Sequence, residues 1–310
     1  MNKPLLSICI PTYNRAKYLK KSIESVICQE ELKSGKVEIL ISDNTSTDGT
    51  EQVGKEYSDR YENIIYHRNE KNINNDNFPL VLSLGNGVLR RLCNDTLCFE
   101  AGSLKYICDI ISKYIDTKPF LCWCGLNNKA EIQELLFEDG IKEVSYWITS
   151  IACFSIWDTE CDGLENDTYG AELLLWQVRK SLELASRKNS MILINRHLTY
   201  TQVVENKNIS YGLYKVFYQN YFTLYEPYFK SDKLSTEDRE YLEKDLLLNF
   251  FPIWCVKWKL QNSSLNYSKT EDLCDVIYQQ YHNKSYWRKY KGIYLKIYIK
   301  EKIKNVLRKG

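Results

Sequence analysis

Two rhythms of polar and apolar positions alternate along the first two thirds of the chain. Residues 5–11 (LLSICIP) form a short apolar run that stops at a turn signal, the pattern of a strand buried on both faces. Leu19, Ile23, Val26 and Ile27 then recur at helical spacing. The alternation repeats: a strand at 36–42, a helix from about residue 50 to 61, a strand at 63–69, a short helix over 77–84 interrupted by Pro79, a strand at 87–95 and a helix at 102–113. Further strands are predicted at 120–125 and 147–157, and a long helix at 170–187. Strand and helix in strict alternation predict an α/β fold, a mainly parallel sheet with helices on both faces. After about residue 205 the strand signals fade. Residues 210–229 and 235–260 read as helices, the second opening with Ser235 and Asp238 at capping-box spacing. The expected organisation is therefore an α/β domain over 1–205 and a helical region over 206–310.

Composition narrows this picture in three ways. With 44% hydrophobic and 26% charged residues over 310 positions, the chain has the make-up of an ordinary globular protein with room for one large core and an appendage. A formal net charge of +2 gives no general pull toward nucleic acid, and nucleic acid is not an expected partner. The 11 cysteines are odd in number, form no CxxC pair and sit mostly in apolar runs, so reduced core thiols are expected. The first residues lack the pattern of a secretory leader, and no run approaches the ~18 apolar residues of a spanning helix. Both point to the cytoplasm.

Candidate chemistry begins at LISDNTSTDGT, residues 40–50, where an apolar strand ends on Asp43. In open parallel sheets ligands bind outside the carboxyl ends of the strands. A carboxylate there can accept hydrogen bonds from a nucleobase or ribose, on a surface of the site and outside the core. Read alone, Asp43, Ser46 and Asp48 can equally make only Asx turns and a helix cap.

The words around this turn decide between those readings. SICIPTYNRAKYLKKSIESVICQ (7–29) followed by VEILISDNTSTDGTEQV (37–53) resembles the start of family 2 glycosyltransferases with the GT-A fold. YHRNEKNINNDNF (66–78) looks like the family's third nucleotide-site segment, and the nearest flavour is that of abequosyltransferase-like enzymes of bacterial surface polysaccharides. The resemblance covers residues 5–105 well and 106–200 loosely. It implies a Rossmann-like GT-A domain that transfers a sugar, with inversion, from a nucleotide-sugar donor to a glycan. Carried over by position, Pro11, Thr12 and Tyr13 line the nucleotide, Asp43 meets its base, and Arg68 and Asn94 lie in the same pocket.

The family's acidic metal-binding cluster falls on RLCNDTLCFEAGSL (91–104), where only Asp95 is acidic at the matching positions. Mg²⁺ or Mn²⁺ wants several hard oxygens. Asn94 and Thr96 offer neutral ones, so a weakly bound metal is expected on Asp95. Arg90 and Arg91 beside it either neutralise phosphate or form a solvated edge. Displacement at an anomeric carbon also needs a general base. The carboxylates ahead of the long helix are Asp158, Asp162, Glu165, Asp167 and Glu172. The family's acidic pair falls on Ala171-Glu172, which favours Glu172, with Asp167 second.

Residues 284–310 hold ten Lys or Arg against one acid, Glu301, with Trp287, Tyr290, Tyr294 and Tyr298 interleaved. Leu295, Ile299, Ile303 and Val306 share one helical stripe. Such a segment suits an anionic membrane surface, where lipid-linked acceptors reside at the inner face of the cell membrane. Two other function classes stay open on sequence: a nucleotidyltransferase on a similar sheet, and a nucleotide-sugar-binding protein without catalysis.

Overall fold

The computed structural model describes residues 3–205, 207–261, 265–267 and 271–307. The chain divides into two compact units, one of residues 1–140 and 147–203, the other of residues 141–146 and 204–310.

In the first unit, strands β1 (Leu6–Thr12), β2 (Val37–Asp43), β3 (Ile64–Arg68) and β4 (Leu89–Leu92) are parallel in the order β3-β2-β1-β4. Strand β5 (Ser155–Trp157) closes the β4 edge antiparallel. Alternate residues Leu6, Ile8 and Ile10 of β1 and Val37, Ile39 and Ile41 of β2 are fully buried in one cluster. Helix α1 (Ala16–Ile27) covers this face with Leu19, Ile23 and Val26. Helix α2 (Thr50–Arg60) packs on α1 and β3, and α3 (Asn77–Ser83) on β1, β2 and β4. Burial on both faces is why β1 and β2 read as mainly apolar runs, and two polar residues inside them, Ser7 and Glu38, bond to each other.

Close approach of α2 to the sheet depends on Gly54, since a Cβ there would lie 2.2 Å from the Tyr66 ring. A smaller three-stranded sheet is formed by 121–122, 132–136 and 190–194. The register of the large sheet aligns its carboxyl edge. Thr12 lies beside Asp43 and Asp43 beside Arg68, so one row of residues ends three parallel strands.

Several boundaries differ from the sequence pattern. The apolar stretch at 147–157 is mostly 3₁₀ turns, and only Ser155–Trp157 is a strand. The helix expected from 170 starts at Trp176, because Gly170 (φ 90°) and Leu174 (φ 60°) are left-handed and cannot continue a right-handed helix. Pro79 does not interrupt its helix; it sits in the first turn, where no hydrogen-bond donor is needed.

Among the described residues the second unit is helical, with one small parallel strand pair, Lys207–Ile209 and Leu265–Tyr267. Ser235 caps Thr236–Asp245 through the full capping box with Asp238. Two π-helical turns, Lys215–Asn220 and Leu246–Phe250, precede Tyr221–Lys230 and Phe251–Lys259. All 11 cysteines are free and nine are buried, as reduced core thiols should be. Among the described residues no helix is long and apolar enough to cross a membrane.

Candidate functional site at the carboxyl edge of the sheet

The carboxyl ends of β1, β2 and β3 lead into turns that interlock. Asn14 and Thr45, one in each of the first two turns, adopt left-handed backbone at φ 53° and 64°. For a β-branched threonine that is a costly conformation, held only where the surroundings fix it. Here they do. The Asn14 N–H donates to Ser46 Oγ at 2.8 Å, Thr47 N donates to Asn14 Oδ1 at 2.7 Å, and Arg15 N donates to Thr50 Oγ1 at 3.0 Å. Thr45 Oγ1 reaches the Asn69 carbonyl at 3.0 Å.

Asp43 is the centre of this arrangement, and it is fully buried, not on the site surface as the sequence suggested. Its Oδ1 accepts from Ser46 N at 2.9 Å and Ser46 Oγ at 2.5 Å. Its Oδ2 accepts from Tyr66 OH at 2.7 Å and Arg68 Nη1 at 3.0 Å. Arg68 also donates to the Ser46 carbonyl and pairs with Glu51 at 3.2 Å. Burial and the bond to Asp43 push the Tyr66 phenol upward, which keeps it a neutral donor. The carboxylate charge is thus neutralised from the third strand.

A second cluster joins β1 to β4. Cys93 N bonds the Cys9 carbonyl at 2.8 Å, which carries the chain on to Asn94 and Asp95 beside the end of β1. Thr12 Oγ1 donates to Asp95 Oδ2 at 2.9 Å. Burial raises the Asp95 carboxyl to about 6, with the Thr12 bond and the Arg15 charge working against the rise and Asp48 adding to it. Against burial, bonds from Thr50 and Ala16 hold Asp48 below the usual carboxylate range. Among the described residues no three His, Cys, Asp or Glu side chains converge as a metal cage. Asp95, the Thr12 hydroxyl and the exposed Asn94 are hard oxygen donors, a set that fits a cation keeping most of its ligands from water and ligand phosphate.

Around these clusters lie the remaining sequence candidates. Pro11 is half-buried, and Tyr13 is 46% exposed. The turn holding Ala171 and Glu172 reaches this edge through Asn75 Nδ2, which donates to the Ala171 carbonyl at 3.3 Å. Glu172 is exposed and accepts from Gly170 N at 3.0 Å. Asp167 is different: it is tied to Arg179 and, at 3.2 Å, to Lys180, and against burial these charges hold its carboxyl low. A carboxylate so engaged is a weak base.

Arg90 and Arg91 are neither phosphate ligands at this edge nor a solvated edge. Arg90 donates to the Leu82 and Ser83 carbonyls. Arg91 is buried, 4.9 Å from the Trp123 ring centroid, and bonds the Ala152 carbonyl.

Sequence reasoning missed the amide layer beneath the site. Asn44 Oδ1 accepts from Asn69 Nδ2 at 2.9 Å and Ile73 N at 3.0 Å, while Asn77 bonds Ser42 in both directions. The available signal was the density of Asn in 69–77, each residue a donor and acceptor in one.

Comparison with known proteins bears on the family and the fold. The Glycosyl transferase family 2 model matches residues 7–74. Abequosyltransferase RfbV of Salmonella typhimurium is 47% identical over 122 residues, 39% of this chain and 35% of the relative. Glycosyltransferase AglE of Haloferax volcanii is 39% identical over 61 residues, 20% of each chain. The chain thus spans about a third of the length of the first of these curated relatives. Two solved structures share the fold, GT-A. S. aureus TarS 1-349 in complex with UDP-GlcNAc has a TM-score of 0.55 at 14% identity, covering 84% of this chain and 81% of that one. Mannosyltransferase PcManGT from Pyrobaculum calidifontis, in complex with GDP-Man and Mn2+, has a TM-score of 0.55 at 11% identity, covering 100% and 89%.

Proposed function

We propose that this chain, whose residues 7–74 belong to glycosyltransferase family 2, transfers a sugar from a nucleotide-sugar donor to a glycan, with inversion. The observation that carries the reading is the row Thr12, Asp43, Arg68 at the carboxyl edge, with Asp95 bonded to Thr12 and the whole row inside or next to the family segment. The donor's nucleotide lies over the interlocked turns, its base against Tyr13. Asp43 acts from below: it fixes Ser46, Tyr66 and Arg68, and these present the polar groups that the nucleotide meets.

The reaction forms a bond between an acceptor oxygen and the anomeric carbon and breaks the bond to the nucleoside diphosphate. Glu172 takes the acceptor proton, being the exposed carboxylate of the turn that Asn75 holds at this edge. Arg15, whose charge is felt at Asp95, is placed to offset the negative charge of the departing diphosphate. Asp95 and Thr12 would hold Mg²⁺ or Mn²⁺, which supplies further positive charge to that leaving group. The acceptor is a lipid-linked glycan of surface polysaccharide synthesis (capsule or O-antigen), and the chain works peripherally at the inner face of the cell membrane. The likeness to abequosyltransferase RfbV suggests the surface-polysaccharide part of this reading.

One observation favours a second reading, nucleotide-sugar binding without transfer: the lone acid at the metal position. A single experiment separates the two. Nucleoside diphosphates with Mg²⁺ are screened by thermal shift, and the sugar nucleotide of the best binder is then assayed for transfer and donor hydrolysis. A ligand at 100 times its dissociation constant adds ~2.7 kcal/mol of stability. Binding with turnover supports the transferase, binding without turnover the second reading, and no binding by any nucleotide refutes both.

A further inference from the structure

The helix Trp287–Leu307 carries apolar side chains on two opposite faces. One face is used within the fold. Tyr290 is buried, and Trp287, Tyr290, Tyr294 and Tyr298 stack in succession with ring centroids 4.6, 6.1 and 6.0 Å apart. This face packs on Phe251–Lys259, and Glu301 on the same side lies near Lys257. The other face stands open. Leu295, Ile299 and Ile303 are 56%, 50% and 55% exposed. Their spacing of four puts them in a stripe about 80° wide. Lys291 and Lys302 border the stripe on one side, Lys296 and Lys300 on the other. Between 287 and 305 the helix has seven Lys or Arg and one acid, Glu301, which pairs with Lys304 at 2.9 Å. Arg308 and Lys309 lie outside the described residues, as does the side chain of Val306.

We propose that this open face is a docking surface for an anionic lipid bilayer, with the helix lying along the membrane and Leu295, Ile299 and Ile303 sunk to headgroup level. Aliphatic side chains flanked by lysines suit that boundary: the stripe leaves water while the lysine stems extend outward and set their charges on lipid phosphate. The near-absence of free acid on this face matches an anionic surface along its whole length. Three aliphatic residues are too few for permanent insertion, so attachment is reversible and salt-sensitive. The aromatic residues, which sequence alone assigns to the membrane contact, hold the helix to its own fold. The inference rests on the proposal that the acceptor is lipid-linked, and adds which residues face the lipid.

The test is co-sedimentation of the full chain with vesicles of phosphatidylcholine containing 30% phosphatidylserine, and with phosphatidylcholine alone. Three proteins are compared: the wild type, the triple variant Leu295→Ser/Ile299→Ser/Ile303→Ser, and the charge variant Lys296→Glu/Lys300→Glu. Expected are binding of wild type to the anionic vesicles only, at least a tenfold loss in both variants, and an unchanged melting temperature. Equal binding of wild type and triple variant overturns the proposal. So does equal binding to neutral vesicles. A wild type that is dimeric in light scattering and a triple variant that is monomeric also overturn it, since a second copy then covers the stripe. A fall in melting temperature of the triple variant would make the stripe core and overturns it as well. Nucleotide binding is measured separately on the same three proteins, so failure of the glycosyltransferase reading shows there, and failure of the docking surface shows in the vesicle, light-scattering and melting measurements.

Discussion

Replacing Asp43 by alanine should destabilise the first unit even with no ligand present. The carboxylate is fully buried and accepts from Ser46 N, Ser46 Oγ, Tyr66 OH and Arg68 Nη1. Alanine leaves those donors facing a void. A buried donor left unsatisfied costs about 1–3 kcal/mol, and breaking a buried charge pair about 3–5 kcal/mol. Arg68 softens the loss, because its side chain is 31% exposed and Glu51 lies 3.2 Å away. Tyr66 is less free to adjust, because its hydroxyl is committed to Asp43 and its ring is wedged against Gly54. The balance is about 3 kcal/mol, a fall in melting temperature of roughly 5–10 °C for a chain of this size. Because the chain has two compact units, a global transition is read together with a local one. Hydrogen–deuterium exchange of a peptide spanning 43–50 reports the Ser46 N–H directly, and its protection should vanish in the variant. Asp43→Asn keeps an acceptor for Ser46 but turns an amide toward Tyr66 or Arg68, so about half the loss is expected. An alanine variant with unchanged melting temperature and unchanged exchange at Ser46 would refute the structural role assigned to this carboxylate.

Two further outcomes are expected at the site. Asp95 is raised to about 6 from its ordinary value, so the folded chain holds that proton more tightly than the unfolded chain. The unliganded protein therefore loses stability, on the order of 3 kcal/mol, as pH rises from about 4 to 6, and a cation must displace the proton below that point. The Mg²⁺ or Mn²⁺ concentration for half-maximal activity should rise roughly tenfold per pH unit below 6 and level off above it, and a flat profile from pH 5 to 7 would remove Asp95 from the metal site. Glu172→Gln should cut transfer by at least ~100-fold with an unchanged melting temperature, whereas Asp167→Asn should lower the melting temperature through its lost pairs with Arg179 and Lys180 and leave turnover within a few-fold. The reverse pattern in paired melting and turnover measurements would exchange their roles.

What could be read in the sequence was whatever depended on short-range pattern. Strands β1 and β2 were legible because a strand buried on both faces leaves a mainly apolar run, whereas β3 (IIYHR) and β4 (LRRL) carry polar side chains and were legible from the alternation of strand and helix; both turns were legible from their words. The apolar stretch at 147–157 shows the limit: periodicity cannot tell a strand from buried 3₁₀ turns, and only three of its residues pair in the sheet. Asp43 shows another. Its position at a strand end was correct, yet its burial depends on Tyr66 and Arg68, two strand positions more than twenty residues away that pattern does not link to it. The same holds for Arg91, whose charged head lies under Trp123 and not in solvent. Residue type told which groups carry chemistry; partners distant in the chain told which of them are free to use it.

The hydroxyl of Ser46 has only one proton, and its direction is settled by its neighbours. It is given to Asp43, so the oxygen's lone pairs must receive the Asn14 N–H. The chain of bonds therefore runs one way, from the backbone of the first turn through Ser46 to the buried carboxylate. A charge that never touches water is in this manner exported as an oriented dipole to the turn after β1, while Arg68 returns part of the opposite sign through the Ser46 carbonyl. On the reading proposed above, a nucleotide over these turns meets this oriented dipole and not the buried carboxylate itself. Ser46→Ala, which replaces the hydroxyl by hydrogen, would cut this link while the Ser46 N–H stays on Asp43.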